Sequence, residues 1–153
     1  MMITRRRTIH CLILTLFLMS ALASCAAPAK TATSSGEHEL HMAPLSDMPD
    51  EVKSAPVVTQ QAYQFAVANP EVAKQVPCYC GCGAMGHTSS YSCYVQGVDD
   101  KGKVIYDPHA LGCSICVDIT QDTLRLLREG RSPQDIKAYV DKTYSRYGPS
   151  NMQ

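Results

Sequence analysis

Tryptophan is absent from the 153 residues, phenylalanine occurs only twice, and no acidic residue stands in the first two dozen positions. The missing tryptophan excludes none of the readings below. Lysine and arginine cluster only at Arg5, Arg6 and Arg7; elsewhere they are scattered among acids as on a solvated face. That pattern lacks the basic footprint of a nucleic-acid binder. There is no Ser-His-Asp arrangement, paired-carboxylate motif or phosphate-cradling loop, so nothing points to a hydrolase or a nucleotide enzyme. The N-terminal apolar run, residues 11–18, is shorter than the about 20 residues a membrane-spanning helix needs.

That run has another meaning. Arg5, Arg6 and Arg7 precede it and small residues follow it, the layout of a secretory signal peptide over residues 1–24. Leu22-Ala23-Ser24-Cys25 resembles the lipobox of bacterial lipoproteins, which implies acylation of Cys25 as the first residue of the mature chain. Two or three acyl chains hold a protein stably at a membrane. Ordinary signal-peptidase cleavage or an uncleaved anchor is the alternative. Cys11 leaves with the signal peptide. Ala26 is not the Asp that retains a lipoprotein in an inner membrane, so in a two-membrane cell the expected place is the periplasmic face of the outer membrane. Counted from Cys25, the chain carries eleven Lys and Arg against fourteen Asp and Glu, a mild negative charge.

Residues 25–56 are rich in Ala, Ser, Thr, Pro and Glu without apolar periodicity and read as a flexible, lipid-anchored tether. His38, His41, Met42 and Met48 within it could catch a soft ion, but a mobile segment loses chain entropy in gathering ligands, and a solvated linker is the simpler reading. About a hundred residues, 57–153, remain to fold, a size at which a metal or disulfide staple often supplements the core.

This folded part is predicted to be mainly α: three or four helices around a Cys/Gly-rich loop. Residues 57–68 carry Tyr63, Ala66 and Val67 at helical spacing. Asn69-Pro70-Glu71 reads as N-cap, N1 proline and acidic first turn of a second short helix that Pro77 ends. A short helix is the first guess around Cys93, and residues 97–102 read as a polar turn. Asp107-Pro108 caps a helix running to about Glu129, with Ile115, Cys116, Ile119, Thr123, Leu126 and Leu127 as its stripe and Gly130 as its stop. Ser132-Pro133 opens the last helix, where Ile136, Tyr139, Val140, Tyr144 and Tyr147 form an amphipathic face of core and rim residues.

Between residues 78 and 116 stand six cysteines and two histidines: Cys78, Cys80, Cys82, His87, Cys93, His109, Cys113 and Cys116. Core cysteines act as small hydrophobes, but they do not recur at alternate positions between glycines. Cys78, Cys80 and Cys82 on a loop can present several thiolates to one centre, while Gly81, Gly83 and Gly86 let the backbone wrap around it. Cys113 and Cys116, at i and i+3 near a helix N-terminus, lie where the dipole favours thiolate. Soft thiolates select Cu(I) or Zn(II), and six sulfurs exceed the four that tetrahedral zinc accepts. The surplus favours two zinc sites or a thiolate-bridged Cu(I) cluster, and export favours copper. His87 and His109 are candidate terminal ligands and Met85 a weak thioether one.

Two other chemistries compete. Export, small size and an even number of cysteines suit a disulfide framework, although cysteines one residue apart pair with poor geometry and would each need a distant partner. Cys113-Ser114-Ile115-Cys116 is also a C-x-x-C at a helix start, suited to thiol-disulfide exchange. With Gly130-Arg131-Ser132 and Tyr147-Gly148, the last forty residues resemble the helical thiol-reductase module of cytochrome c maturation; that module has no C-x-C-G-C loop, and its spacing differs.

Pro77-Cys78-Tyr79-Cys80-Gly81-Cys82, with Gly86-His87, Cys93 and the run from Asp107 to Ile119, resembles the bacterial lipoproteins named for a PCYCGC motif. The resemblance covers nearly all the folded part, from about Tyr63 to Gly148. It implies export, a lipid anchor and a metal, copper before zinc. The expectation is a non-enzymatic lipoprotein that buffers copper or exchanges it with a donor or acceptor protein.

Overall fold

The computed structural model describes residues 40–152. The signal peptide, Cys25, His38 and the first part of the tether lie outside the described residues. As expected, the described residues are mostly helical, with five α-helices among them: α1 (Asp50–Lys53), α2 (Val57–Ala68), α3 (Pro70–Ala73), α4 (Ser114–Arg128) and α5 (Pro133–Tyr144). A two-stranded hairpin, β1 (Val95–Val98) and β2 (Val104–Tyr106), stands between α3 and α4.

Packing begins earlier than the composition of residues 25–56 suggests. Met48 and Val52 are each only 2% exposed. The segment before them docks on α2, where Ala43 N–H donates to the Gln64 carbonyl at 3.0 Å and the Asn69 amide donates to the His41 carbonyl at 2.7 Å. From residue 40 onward, the part of the expected tether that is described is therefore folded structure. Two isolated apolar side chains between prolines carry no periodicity, which is why the sequence pattern conceals them.

The long helices follow their patterns. Thr59, Ala62, Tyr63 and Ala66 form the buried face of α2, which packs on α4. In α4, Cys116, Ile119, Thr120, Thr123 and Leu127 turn inward toward α2 and α5. Gly130, with φ of 75°, ends α4 in a Schellman turn: its N–H donates to Leu127 O at 2.9 Å, and Arg131 N–H to Leu126 O at 3.0 Å. Ser132 Oγ accepts the Asp135 N–H to cap α5 at 3.2 Å, with Pro133 at N1. Ile136 and Val140 are fully buried along α5, Tyr144 nearly so, and Tyr147 is exposed at the rim.

The hairpin departs from the sequence reading. Cys93 closes a 3₁₀ turn, Tyr91–Cys93, and the chain then enters a strand rather than a helix. Val95 pairs with Tyr106 and Val98 with Val104, with an irregularity between Val95 and Gly97 that leaves Gln96 out of register. Asp99 closes the connection, accepting from Lys101 N–H and Lys103 N–H at 2.9 and 2.8 Å. A hairpin returns the chain to its start, so Asp107 N–H reaches the Tyr94 carbonyl at 2.9 Å. His109 thereby arrives beside Cys93.

Candidate metal centre

Each ligand is set by a different local device. Cys82 lies in a 3₁₀ turn, Cys82–Met85, flanked by Gly81 and Gly86 at φ of 86° and 88°. Both glycines are in the left-handed region that L side chains avoid, and they reverse the loop so that Cys78, Cys80 and Cys82 face one centre. His109 opens a separate 3₁₀ turn, His109–Leu111, rather than α4 itself; Asp107 Oδ1 caps it by accepting the His109 N–H at 2.8 Å. Cys113 is the N-cap of α4 and Cys116 lies in its first turn, so the positive helix end faces the thiols.

The structure brings all eight predicted ligands together. Cys78 Sγ lies 3.4 Å from Cys80 Sγ and 3.5 Å from Cys116 Sγ, and Cys80 to Cys116 is also 3.5 Å. Cys113 to Cys116 is 3.2 Å, Cys82 to Cys93 is 3.7 Å, and His109 Nε2 is 3.3 Å from Cys80 Sγ. All six cysteines are free, and these separations exceed a disulfide bond of about 2.05 Å. Four sets of ligand atoms lie within 4.8 Å of one another: Cys80/His109/Cys113/Cys116, Cys82/His87/Cys93/His109, Cys78/Cys93/Cys116 and Cys78/Cys80/Cys82. Such a cluster could hold metal. Met85 is 59% exposed. Among the described residues, His41 joins none of these sets, Met42 is exposed, and Met48 is core.

Burial gives the cluster its electrostatics. The Cys78 thiol is held far below the ordinary thiol range, first by its bond with Cys116 and then by Cys93, while that same bond pushes Cys116 up. Burial and then the Cys78 charge push Cys80 and Cys82 upward. One depressed thiol among raised ones is an arrangement that a cation at the centre would relieve.

His87 gives the sharpest local sign. It is 9% exposed, and its Nδ1 is a buried nitrogen with no hydrogen-bond partner. Nε2 lies 3.5 Å from Asp107 Oδ2. A carboxylate beside one ring nitrogen fixes the tautomer and leaves the other nitrogen's lone pair for a cation, a common outer-sphere arrangement at metal sites. The His87 and His109 rings meet edge to face, centroids 5.1 Å apart.

The sequence pattern carries no sign of Asn151. Its Oδ1 accepts the Cys78 N–H at 2.7 Å, and its Nδ2 donates to Cys82 Sγ at 3.4 Å and to Ser89 O at 3.1 Å. Its backbone N–H donates to Cys78 O at 3.0 Å. The C-terminal segment thus straps the cysteine loop. Only the conjunction of a buried amide with contacts some seventy residues away reveals it. Tyr79 adds a second tie, its hydroxyl donating to Asp141 Oδ1 on α5 at 2.6 Å.

A family model described as a protein of unknown function with a PCYCGC motif matches residues 12–151. The chain belongs to the PCYCGC-motif family. Its defining string, Pro77 to Cys82, forms the floor of the cluster, and the matched span reaches Asn151 in the strap. No curated protein and no solved structure matches the chain.

Proposed function

We propose that this PCYCGC protein is a non-enzymatic lipoprotein, tethered through an acylated Cys25 outside the cytoplasm, that binds Cu(I) in a multinuclear thiolate centre. It buffers copper or exchanges it with a partner protein. The observation that carries this reading is the overlap of the ligand sets: six of the eight residues belong to two sets at once. Sulfurs shared between sets suit ions bridged by thiolate. Soft sulfur selects Cu(I) or Zn(II) over hard ions. Zinc asks for four ligands each, and the two four-residue sets both draw on His109.

Cys80 belongs to two sets and stands within 3.5 Å of three other ligands. Cys80→Ser should remove most of the bound copper under anaerobic loading. Full copper stoichiometry in that variant would refute the assignment. Thiol exchange is the second reading, favoured by the 3.2 Å separation of Cys113 and Cys116 at the start of α4. In that case, Cys113 and Cys116 would cycle with reductant and metal would not protect them from alkylation.

A further inference from the structure

The four ligand sets have a connectivity of their own. Every pair of these four sets shares one residue: Cys78, Cys80, Cys82, Cys93, Cys116 and His109 each make one of the six links, while Cys113 and His87 belong to a single set; Cys78, Cys80 and Cys116, also mutually within 3.5 Å, then form the open face between three of them. Four centres joined pairwise through six shared ligands have the connectivity of a tetrahedral cage, with an ion at each corner and a bridge along each edge. A thiolate can bridge, because sulfur offers several lone pairs. An imidazole nitrogen offers one, so within a compact cage His109 serves one ion at a time.

With His109 set aside, every corner keeps three ligands: Cys80/Cys113/Cys116, Cys82/His87/Cys93, Cys78/Cys93/Cys116 and Cys78/Cys80/Cys82. Trigonal coordination suits Cu(I), whereas structural zinc sites are almost always tetrahedral. The spacing agrees. Two sulfurs bound at about 2.3 Å to one trigonal ion stand about 4 Å apart, and the bridging thiols already lie 3.4 to 3.7 Å from their neighbours. His87, in the second corner, also carries a buried Nδ1 without a hydrogen-bond partner.

Resting on the copper reading above, we infer that the loaded centre is a tetranuclear Cu(I) cage. Cys78, Cys80, Cys82, Cys93 and Cys116 bridge, Cys113 and His87 cap two corners, and His109 is an exchangeable ligand able to complete either capped corner. Six thiolates and four Cu(I) leave the cage with two negative charges, and each thiol still protonated releases its proton on loading. Because the bridges are shared, partly filled cages leave thiolates without their second ion, and loading is cooperative.

Native mass spectrometry of the full chain, loaded anaerobically with Cu(I) alone, tests this. Empty and four-copper species should dominate across the titration. Among the caps, Cys113→Ser or His87→Ala alone should keep four ions, because His109 completes the corner. The double variant should hold three, because one imidazole cannot serve both. Cys78→Ser, which opens two all-thiol corners, should lose at least two ions. A stepwise series, a limit below four, or four ions retained in the double variant overturns the cage while leaving copper binding intact. No copper on the unaltered chain overturns the copper reading itself.

Discussion

Asn151 sits two residues from the chain end, yet it uses its side-chain oxygen, its side-chain amide and its backbone N–H on the cysteine loop. Its amide aims a donor at Cys82 Sγ, which steadies a thiolate there, and its oxygen holds the Cys78 backbone in place. Loss of an outer partner of this kind costs about 10- to 100-fold in metal affinity. Asn151→Ala should weaken copper binding by that factor in a chelator competition. An unchanged affinity would reduce the strap to packing. No sequence pattern announces this residue, since a polar side chain in a Pro-Ser-Asn tail acquires meaning only from Cys78 and Cys82, far away in the chain. The cluster of six cysteines and two histidines, by contrast, was legible from spacing and residue type, because those types recur in one short stretch of the chain.

At the scale of elements, the cysteine loop depends on two glycines for different reasons. Gly81, with φ of 86°, has nothing within 4 Å of an added Cβ, so its cost is conformational alone. Gly81→Ala should lower stability by about 1–2 kcal/mol in urea unfolding. Gly148 is extended, but an added Cβ would meet the Tyr79 carbonyl at 3.0 Å, so the strap and the loop backbone would have to shift apart slightly. Gly148→Ala should therefore reduce metal affinity, where Gly81→Ala chiefly costs stability.

The tie between Tyr79 and α5 has a pH signature. Burial pulls the Asp141 carboxyl up, but hydrogen bonds from Lys137 and Tyr79 outweigh it and hold the group below its ordinary value. A depressed carboxyl contributes stability above the unfolded pKa of about 3.9, and that contribution disappears as pH falls through the folded value. Asp141→Asn should flatten the loss of stability below about pH 4; an unaltered acid transition would contradict this.

The helices α2, α4 and α5 were readable because each repeats its apolar face over three or more turns and carries a proline, Schellman or serine boundary. The hairpin was not, because β1 is four residues long and the irregularity at Gln96 breaks its alternation. The Asp-Asp-Lys-Gly connection between Val95-Gln96-Gly97-Val98 and Val104-Ile105-Tyr106 was the available signal. That hairpin is what brings His109 to Cys93, so the missed element is the one that closes the site.

At the scale of the molecule, the described residues form a small helical body around a cysteine-rich interior. Cys78, Cys82, Cys93 and Cys116 are buried; burial pushes the Cys80 and Cys82 thiols up, and the bond with Cys78 pushes Cys116 up. Thiol ligands must give up their protons to bind, so copper affinity should fall as pH falls, with protons released on loading. A ligand bound only by the folded state stabilises it by about 4 kcal/mol at a thousandfold excess over Kd. Metal removal should lower the thermal midpoint, as scanning calorimetry would show.

The most direct test offers copper and zinc together to the full chain under anaerobic conditions, followed by elemental analysis and thiol counting before and after metal removal. Several copper atoms per chain and little zinc are expected, with the six cluster thiols, Cys78, Cys80, Cys82, Cys93, Cys113 and Cys116, reacting with alkylating reagent only once the metal is gone. A chain that takes up no copper, whether its thiols are freely reactive or joined in disulfides, would contradict this expectation.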